Sequence, residues 1–157
     1  MSYNAEQIIN SLKSEFNEKI LEATSDDFYR VIIKVPSELI LEIAGYIQHE
    51  LGFSTPNMCS GTDKKEFMEV FWHIGTVDSP ILIVLKSELN RDNPVVESLT
   101  PLWKGFDWHE RETYDLLGIN FNNHPDLRRL LMPDNWEGHP LREDYVYKKP
   151  KYRKPED

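Results

Sequence analysis

The sequence WHERETYDLLGINFNNHPDLRRLLMPDNWEGHPLREDY runs from Trp108 to Tyr145 and is the most distinctive part of the 157-residue chain. We call residues 108–145 the signature segment. Charged, aromatic and turn-forming residues are denser in it than the surface of an ordinary helix or strand requires. It contains no glycine-rich phosphate loop, no complete metal motif and no nucleophile elbow. A dense polar pattern without a chemical centre indicates a subunit that shapes a larger assembly rather than a free-standing catalyst.

The composition excludes several classes of protein. The net charge of −9 argues against nucleic acid as the main partner. Cys59 is the only cysteine, so the chain alone can form neither a disulfide framework nor a cluster or zinc site of several thiolates. No stretch approaches the roughly 18 consecutive apolar residues of a membrane span, and the N-terminus lacks the apolar core of a signal peptide. We expect a soluble, cytoplasmic chain that reaches a membrane only through partners.

Residues 1–104 are predicted to form an α+β domain. Apolar spacing indicates helices over Ala5–Phe16 and Ser37–Leu51, the second with Ser37 as its N-cap and Gly52 as its stop. β-Branched and apolar runs bounded by turn residues predict strands, which are Phe28 to Val35, Ser54 to Ser60, Phe67 to Gly75 and Ile81 to Leu85. Strands in succession after early helices favour a small mixed or antiparallel sheet with helices on one face.

Residues 105–157 are predicted to form a charged helix followed by an extended, partner-binding segment. The helix covers Asp107–Leu117 and ends at Gly118. Beyond Gly118, Gly, Pro and Asn recur too often for long regular elements. The basic run Lys148–Lys154 has no apolar periodicity, so we expect it to be ordered only against a partner.

Glu110 in the predicted helix has two possible roles. Asp107 and Glu110 have the spacing of a capping box, yet Glu110 projects onto the apolar side of the helix. Glu110 is therefore either a capping group near the helix N-terminus or a buried charge with an arginine partner.

The opposite side of the helix carries Trp108 with Arg111, Glu112 and Asp115, and Arg111 can pair with Asp115 one turn away. These charges form either a solvated surface or a set of inter-segment and inter-subunit ion pairs, together with the downstream Arg128, Arg129 and Arg142.

The histidines define a hypothesis of another class. His109-Glu110 begins like the H-E-x-x-H metal motif, but Thr113 stands where the second histidine is needed. His124 and His139 each precede a proline in a predicted loop, where a hydrogen-bonding turn role is more common than a metal ligand. An independent metal-dependent hydrolase that uses His109, His124 and His139 is kept as the alternative.

Three runs carry a resemblance to a known family: W-H-E-R-E-x-x-D-L-L-G-I, H-P-D-L-R-R-L-L-M-P and W-E-G-H-P-L-R-x-D-Y. Together they are similar to the signature of the 30-kilodalton (C) subunit of complex I-type respiratory dehydrogenases. The lead-in from Asn93-Pro94 through Leu99-Thr100 to Trp103 resembles that family too. The chain departs from the pattern at Glu143, where the family usually has lysine, and at Gly105-Phe106-Asp107, which replaces a small-residue and Asn/Asp-Trp arrangement.

The resemblance implies a peripheral-arm subunit without a catalytic, cofactor-binding or metal site of its own. Iron–sulfur clusters and flavin are then expected in partner subunits. The implied neighbours are the quinone-site (D-type, 49-kilodalton) subunit and the cluster-bearing B- and I-type subunits, on the cytoplasmic side of a membrane complex. It implies a structural or interface role for Trp108, Glu110, Arg111, Glu112, Asp115, His124, Asp126, Arg128, Arg129, Trp136, His139, Arg142 and Asp144.

The electron donor stays open. The family serves NADH, reduced coenzyme F-420, ferredoxin and hydrogen-linked complexes, with a quinone or phenazine as the acceptor. The short, unfused chain and its M-P-D-N-W-E-G-H-P run resemble the archaeal coenzyme F-420 dehydrogenase form.

Overall fold

The computed structural model describes residues 4–26 and 29–148. Within these ranges it has three α-helices: α1 (Ala5–Phe16), α2 (Ile40–His49) and α3 (Asp107–Leu117). The strands in the same ranges are β1 (Glu22–Ser25), β2 (Arg30–Lys34), β3 (Thr55–Asp63), β4 (Phe67–Thr76), β5 (Ser79–Asn90), β6 (Val95–Glu97) and β7 (Asn120–Asn122). Phe28, where a strand was predicted to begin, and residues 149–154 of the basic run lie outside the described residues.

Five strands form one mixed sheet in the order β1-β2-β5-β4-β3. All neighbours in it are antiparallel except β2 and β5, which run parallel with Arg30 opposite Leu82. Parallel neighbours need a long connection, and α2, β3 and β4 lie in it. Strands β6 and β7 form a separate parallel pair, with Val95 opposite Asn120. The predicted α+β architecture with a mixed sheet is confirmed.

The helices cover one face of the sheet. Along β4, Met68, Val70, Trp72 and Ile74 are buried, whereas the residues between them are partly exposed. Side chains of all three helices pack into the hydrophobic cluster on this face. The end of α3 lies close to β3 at Gly61, which has no side chain: a Cβ there would be 3.1 Å from the Cδ1 atom of Leu117. The prediction of helices on one face is confirmed.

Local predictions succeeded where the pattern was strong. Helix α1 has the predicted bounds, and a capping box of Asn4 and Gln7 starts it. The prediction that Ser37 caps a helix is wrong: residues Ser37–Leu39 form a 3₁₀ turn without a side-chain cap, and α2 follows at Ile40. Strand β1 was not predicted, since its short and mostly exposed sequence EATS has no apolar alternation.

One hydrophobic cluster spans residues on both sides of position 104. Phe106, Leu117 and Phe121 from the later part of the chain belong to the same cluster as the sheet residues. The rings of Trp72 and Phe121 meet edge to face at 6.2 Å. Residues on both sides of position 104 therefore share one hydrophobic core. Among residues 4–26 and 29–148, no helix has both the length and the apolar character needed to cross a bilayer.

Candidate functional site

Helix α3 organises the signature segment. Its bounds, Asp107–Leu117, are those predicted, and Gly118 ends it in the left-handed conformation with φ of 74°. The prediction that Asp107 caps this helix is wrong. The 3₁₀ turn Lys104–Phe106 runs directly into α3, so Phe106 occupies the N-cap position and no side chain caps it.

Glu110 is fully buried and joins α3 to the sheet and to the loop after β6. Its Oε1 atom accepts hydrogen bonds from Trp72 Nε1 at 3.1 Å and from the N–H of Leu99 at 2.9 Å. Its Oε2 atom accepts from the Ser98 hydroxyl at 2.5 Å. Thr100 in turn donates its N–H to the Ser98 hydroxyl oxygen at 3.1 Å. Three parts of the chain therefore meet at one carboxyl group.

Of the two interpretations of Glu110, the helix cap is wrong and the buried group is confirmed. Its partners in the described part of the chain are not arginines, because its hydrogen bonds come from an indole, a hydroxyl and a backbone amide. Burial raises the pKa of Glu110 to about 7, although the hydrogen bonds from Ser98, Leu99 and Trp72 act in the opposite direction. A carboxyl group with this pKa changes its protonation near neutral pH.

His124 lies in a turn, and its side chain is buried beside Glu110. Its Nδ1 atom accepts a hydrogen bond from the N–H of Asp126 at 3.0 Å, so the proton of the neutral ring lies on Nε2. That Nε2–H donates to the carbonyl oxygen of Asp107 at 3.1 Å. Nε2 also lies 4.0 Å from Glu110 Oε2 and 3.8 Å from Asp107 Oδ1. Both ring nitrogens are therefore used within the chain.

Asp115 folds the loop that follows α3. Its side chain is fully buried, and its Oδ2 atom accepts the backbone N–H groups of Leu130, Leu131 and Met132 at 2.7–3.0 Å. Its Oδ1 atom is 2.7 Å from Arg129 Nη1. Burial acts to raise the pKa of Asp115, but the hydrogen bonds from these amides and from Arg129 outweigh it and hold the pKa below its usual value. The carboxylate thus binds four donors of an irregular segment.

Arg129 extends the same network along the chain. Its guanidinium donates to the carbonyl oxygens of Trp136 and Gly138, both at 3.0 Å, and to that of Asp115 at 3.2 Å. The Asp115 carbonyl also accepts Nδ1–H of His139 at 2.9 Å. The ion pair between Asp115 and Arg129 therefore holds the loop of residues 129–139 against the end of α3. The indole nitrogen of Trp136 is buried and has no hydrogen-bond partner among residues 4–26 and 29–148.

Arg111 does not pair with Asp115 among the described side chains, contrary to the prediction. It is 5% exposed, and it donates to the carbonyl oxygens of Arg128 and Arg129, both at 3.3 Å. Its nearest carboxylate is that of Asp126, at 4.0 Å. Arg128 instead pairs with Asp126 at 2.9 Å, and both of these side chains are exposed. The charges on this side of α3 thus mostly bind other segments of the chain rather than solvent.

Gly118, His139 and Arg142 are in close contact. Arg142 Nε donates to the carbonyl oxygen of Leu117 at 2.7 Å and so satisfies the C-terminus of α3. A Cβ at position 118 would lie 2.7 Å from His139 Nε2 and 2.9 Å from Arg142 Nη2. Glycine is required here both by its positive φ and by this contact.

A second ion-pair cluster was missed from the sequence. Asp63, at the end of β3, accepts two hydrogen bonds from Arg91 at 2.7 and 2.8 Å, and the same guanidinium lies 3.1 Å from Asp144. Asp63 also accepts the N–H of Glu143 at 3.1 Å. The Arg91 hydrogen bonds hold the pKa of Asp63 well below its usual value. We call Asp63, Arg91 and Asp144 the clasp, because they fix the end of the signature segment to the sheet.

The clasp also fixes the position of Glu143, the residue that stands where the family usually has lysine. Its carboxylate lies 3.9 Å from Lys65 Nζ in an exposed pair. A signal for the clasp was present in the strand pattern: Asp63 lies on the same side of β3 as buried Cys59, where a charged residue needs a partner.

Two of the site residues on α3 face outward. Trp108 is 66% exposed, and Glu112 is exposed one turn later on α3. No ion pair involving Glu112 occurs among the described residues. The site therefore divides into charges that fix the loop from within and a smaller set of side chains left open.

The geometry does not support the hydrolase alternative. No three His, Cys, Asp or Glu side chains of the described ranges are placed to share a metal ion. His124 uses both nitrogens and His139 uses one for hydrogen bonds within the chain. The fold and the site define an α+β domain whose polar loop is held against α3 by buried hydrogen bonds and an ion pair.

The chain belongs to the family described as "Respiratory-chain NADH dehydrogenase, 30 Kd subunit", whose model matches residues 33–151. Relatives of the chain are named as C subunits of dehydrogenases or oxidoreductases. The C subunit of F(420)H(2) dehydrogenase from Methanosarcina mazei is 38% identical over 145 residues, which cover 90% of this chain and 92% of the relative. The C subunit of NADH-quinone oxidoreductase from Roseiflexus sp. is 42% identical over 118 residues, which cover 71% and 67%. The resemblance drawn from the signature segment is confirmed.

Solved structures share the fold. A chain of the membrane-bound sulfane sulfur reductase, an archaeal respiratory membrane complex, superposes with a TM-score of 0.81 at 19% identity and covers 99% of this chain and 97% of its own length. The trypsin-resistant fragment (1-134) of Nqo5 gives a TM-score of 0.66 at 21% identity and covers 80% of this chain and all of the fragment.

Proposed function

We propose that the chain is a redox-inactive, peripheral-arm subunit of a complex I-type oxidoreductase that holds neighbouring subunits at a fixed spacing. Iron–sulfur clusters and flavin belong, in this proposal, to those neighbours. They are a quinone-site (D-type, 49-kilodalton) subunit and cluster-bearing B- and I-type subunits on the cytoplasmic side of the membrane. The chain itself contributes no chemistry.

One observation carries the scaffold role. The buried carboxylates of Glu110 and Asp115 bind backbone amides, an indole, a hydroxyl and a guanidinium within the same chain. Glu110 fixes α3 to the sheet and to the loop after β6. Asp115 and Arg129 hold residues 130–138 against the end of α3, although these residues have little regular structure. A segment fixed in this way suits the alignment of other subunits, because it loses little conformational entropy on binding them.

The donor proposed for the complex is reduced coenzyme F-420 or NADH, and the acceptor is a quinone or phenazine. The names of the relatives from Methanosarcina mazei and Roseiflexus sp. support this pair of donors. The identity of the donor-binding subunit that co-purifies with the chain distinguishes them.

The test uses the tagged chain in its own membranes. Affinity purification should recover cluster-bearing and quinone-site subunits, together with oxidoreductase activity. The variants Arg111→Ala and Arg142→Ala should reduce recovery of the complex, because each removes hydrogen bonds that shape the signature segment. Complex that does assemble should keep its normal iron and flavin content. The exposed Lys13→Ala variant serves as the control. Recovery of the chain without any such subunits would refute the proposal.

A further inference from the structure

A groove of about 200 Å³ lies between α3 and the middle of β3. Cys59 and Thr113 form part of its buried base. Burial raises the pKa of the Cys59 thiol, so the sulfur is neutral and behaves as a small apolar group. Met58, Leu116 and Leu141 line the sides. The groove therefore offers an apolar concavity on the outer side of the site.

The surroundings of the groove expose large apolar side chains. Leu141 is 59% exposed and Met58 is 37% exposed. Trp108, 66% exposed, precedes the groove residue Glu112 by one helical turn, which places the two side chains next to each other on α3. Tryptophan beside an apolar concavity is typical of the centre of a protein interface. Clustered exposure of this kind marks an interaction surface, unlike single exposed residues.

Two polar groups at the groove lack partners within the described part of the chain. The carboxylate of Glu112 is exposed and forms no ion pair there. The Nδ1 atom of His109 is buried and has no hydrogen-bond partner. Both residues line the groove. An occupant that brought only apolar atoms would leave these groups without compensation, which costs free energy.

We infer that this groove receives a segment of a neighbouring subunit that inserts an apolar side chain and places a lysine or arginine against Glu112. The inference rests on the proposed function, since it names the chemistry of one partner surface. A second copy of this chain fits less well. A two-fold pairing at the groove would bring Glu112 towards its own copy, and each chain carries a net charge of −9.

Hydroxyl-radical footprinting tests the apolar part of this inference. The oxidation rates of Trp108 and Leu141 are measured in the free full-length chain and in the purified complex. We expect both rates to fall at least fivefold in the complex. Equal rates in the two states would overturn the inference while leaving the proposed function intact, because the chain would still be recovered with its partners. Failure to recover a complex at all would refute the proposed function itself.

Charge reversal tests the basic partner. Glu112→Lys should lower the recovery of the complex at least tenfold, and Glu112→Gln should lower it less. Glu15→Lys, an exposed change on α1, should leave recovery unchanged. Thermal unfolding of the free variants checks that each still folds. If Glu112→Lys is recovered like Glu15→Lys, the partner brings no positive charge and the inference is wrong.

Two controls identify other occupants of the groove. In the first control the free chain is sedimented. If it forms a dimer that the Trp108→Ala substitution abolishes, a second copy of the chain occupies the groove. In the second control the chain is shortened to end at residue 148. If Trp108 is then oxidised faster than in the free full-length chain, residues 149–157 occupy the groove. Either result would overturn the inference.

Discussion

Replacement of Asp115 by asparagine should release the loop of the signature segment. Asparagine has nearly the same shape but only one acceptor oxygen. If that oxygen faces the amides of Leu130, Leu131 and Met132, the new NH₂ group faces the Arg129 guanidinium. If the oxygen faces Arg129, the NH₂ group faces three N–H donors. In either orientation donors meet donors, so the substitution does more than remove a charge.

The magnitude follows from burial. The Asp115 side chain is 0% exposed and that of Arg129 is 16% exposed. Loss of one member of a buried pair costs about 3–5 kcal/mol. The matched control is Asp126→Asn, which disrupts the pair between Asp126, 52% exposed, and Arg128, 67% exposed. An exposed pair contributes at most about 1 kcal/mol.

Two measurements check this prediction. Urea unfolding gives the free energy of unfolding of both variants, and hydrogen exchange reports the amides of Leu130, Leu131 and Met132. A loss of about 3 kcal/mol corresponds to exchange that is faster by on the order of a hundredfold. If Asp115→Asn costs less than about 1 kcal/mol and these amides stay protected, the carboxylate does not hold the loop and the reasoning fails.

Three further predictions concern pH, backbone and the clasp. Because the pKa of Glu110 is raised from 4.5 to about 7, the folded chain keeps a proton that the unfolded chain releases, so stability falls as pH rises through this range. Glu110→Gln should reduce the loss of unfolding free energy between about pH 5 and pH 8 by up to about 3 kcal/mol, as measured by urea unfolding. If the variant loses as much stability over this range as the parent chain, the prediction is wrong. Gly118→Ala should lower the melting temperature, at a cost of at least about 1–2 kcal/mol, since φ is 74° and His139 is in contact. Gly45→Ala, which meets no atom within 4 Å, should raise it instead. Asp63→Asn should speed trypsin cleavage after Arg142, and an unchanged digestion rate would show that the clasp does not hold this segment.

The sequence predicted those elements whose signals lie within a few neighbouring residues. The bounds of α3 followed from its spacing and from Gly118, and α1 from its apolar stripe. Glu110 was misjudged because its partner Trp72 is 38 residues away and Ser98 is 12 residues away, outside any helical window. The partner of Asp115 was likewise assigned to Arg111, one turn away, although Arg129 holds it from across a loop. Long-range pairing decides such contacts, and no local pattern records it.

The clasp has a consequence for the order in which the protein folds. Asp63 and Glu143 are 80 residues apart in sequence, and contacts of such separation form late because the chain between them must be ordered first. We expect residues 128–145 to take their final shape only after the sheet and α3 have formed. An incompletely folded chain would then present no finished docking surface. Binding of partner subunits to this surface would therefore depend on completed folding of the chain.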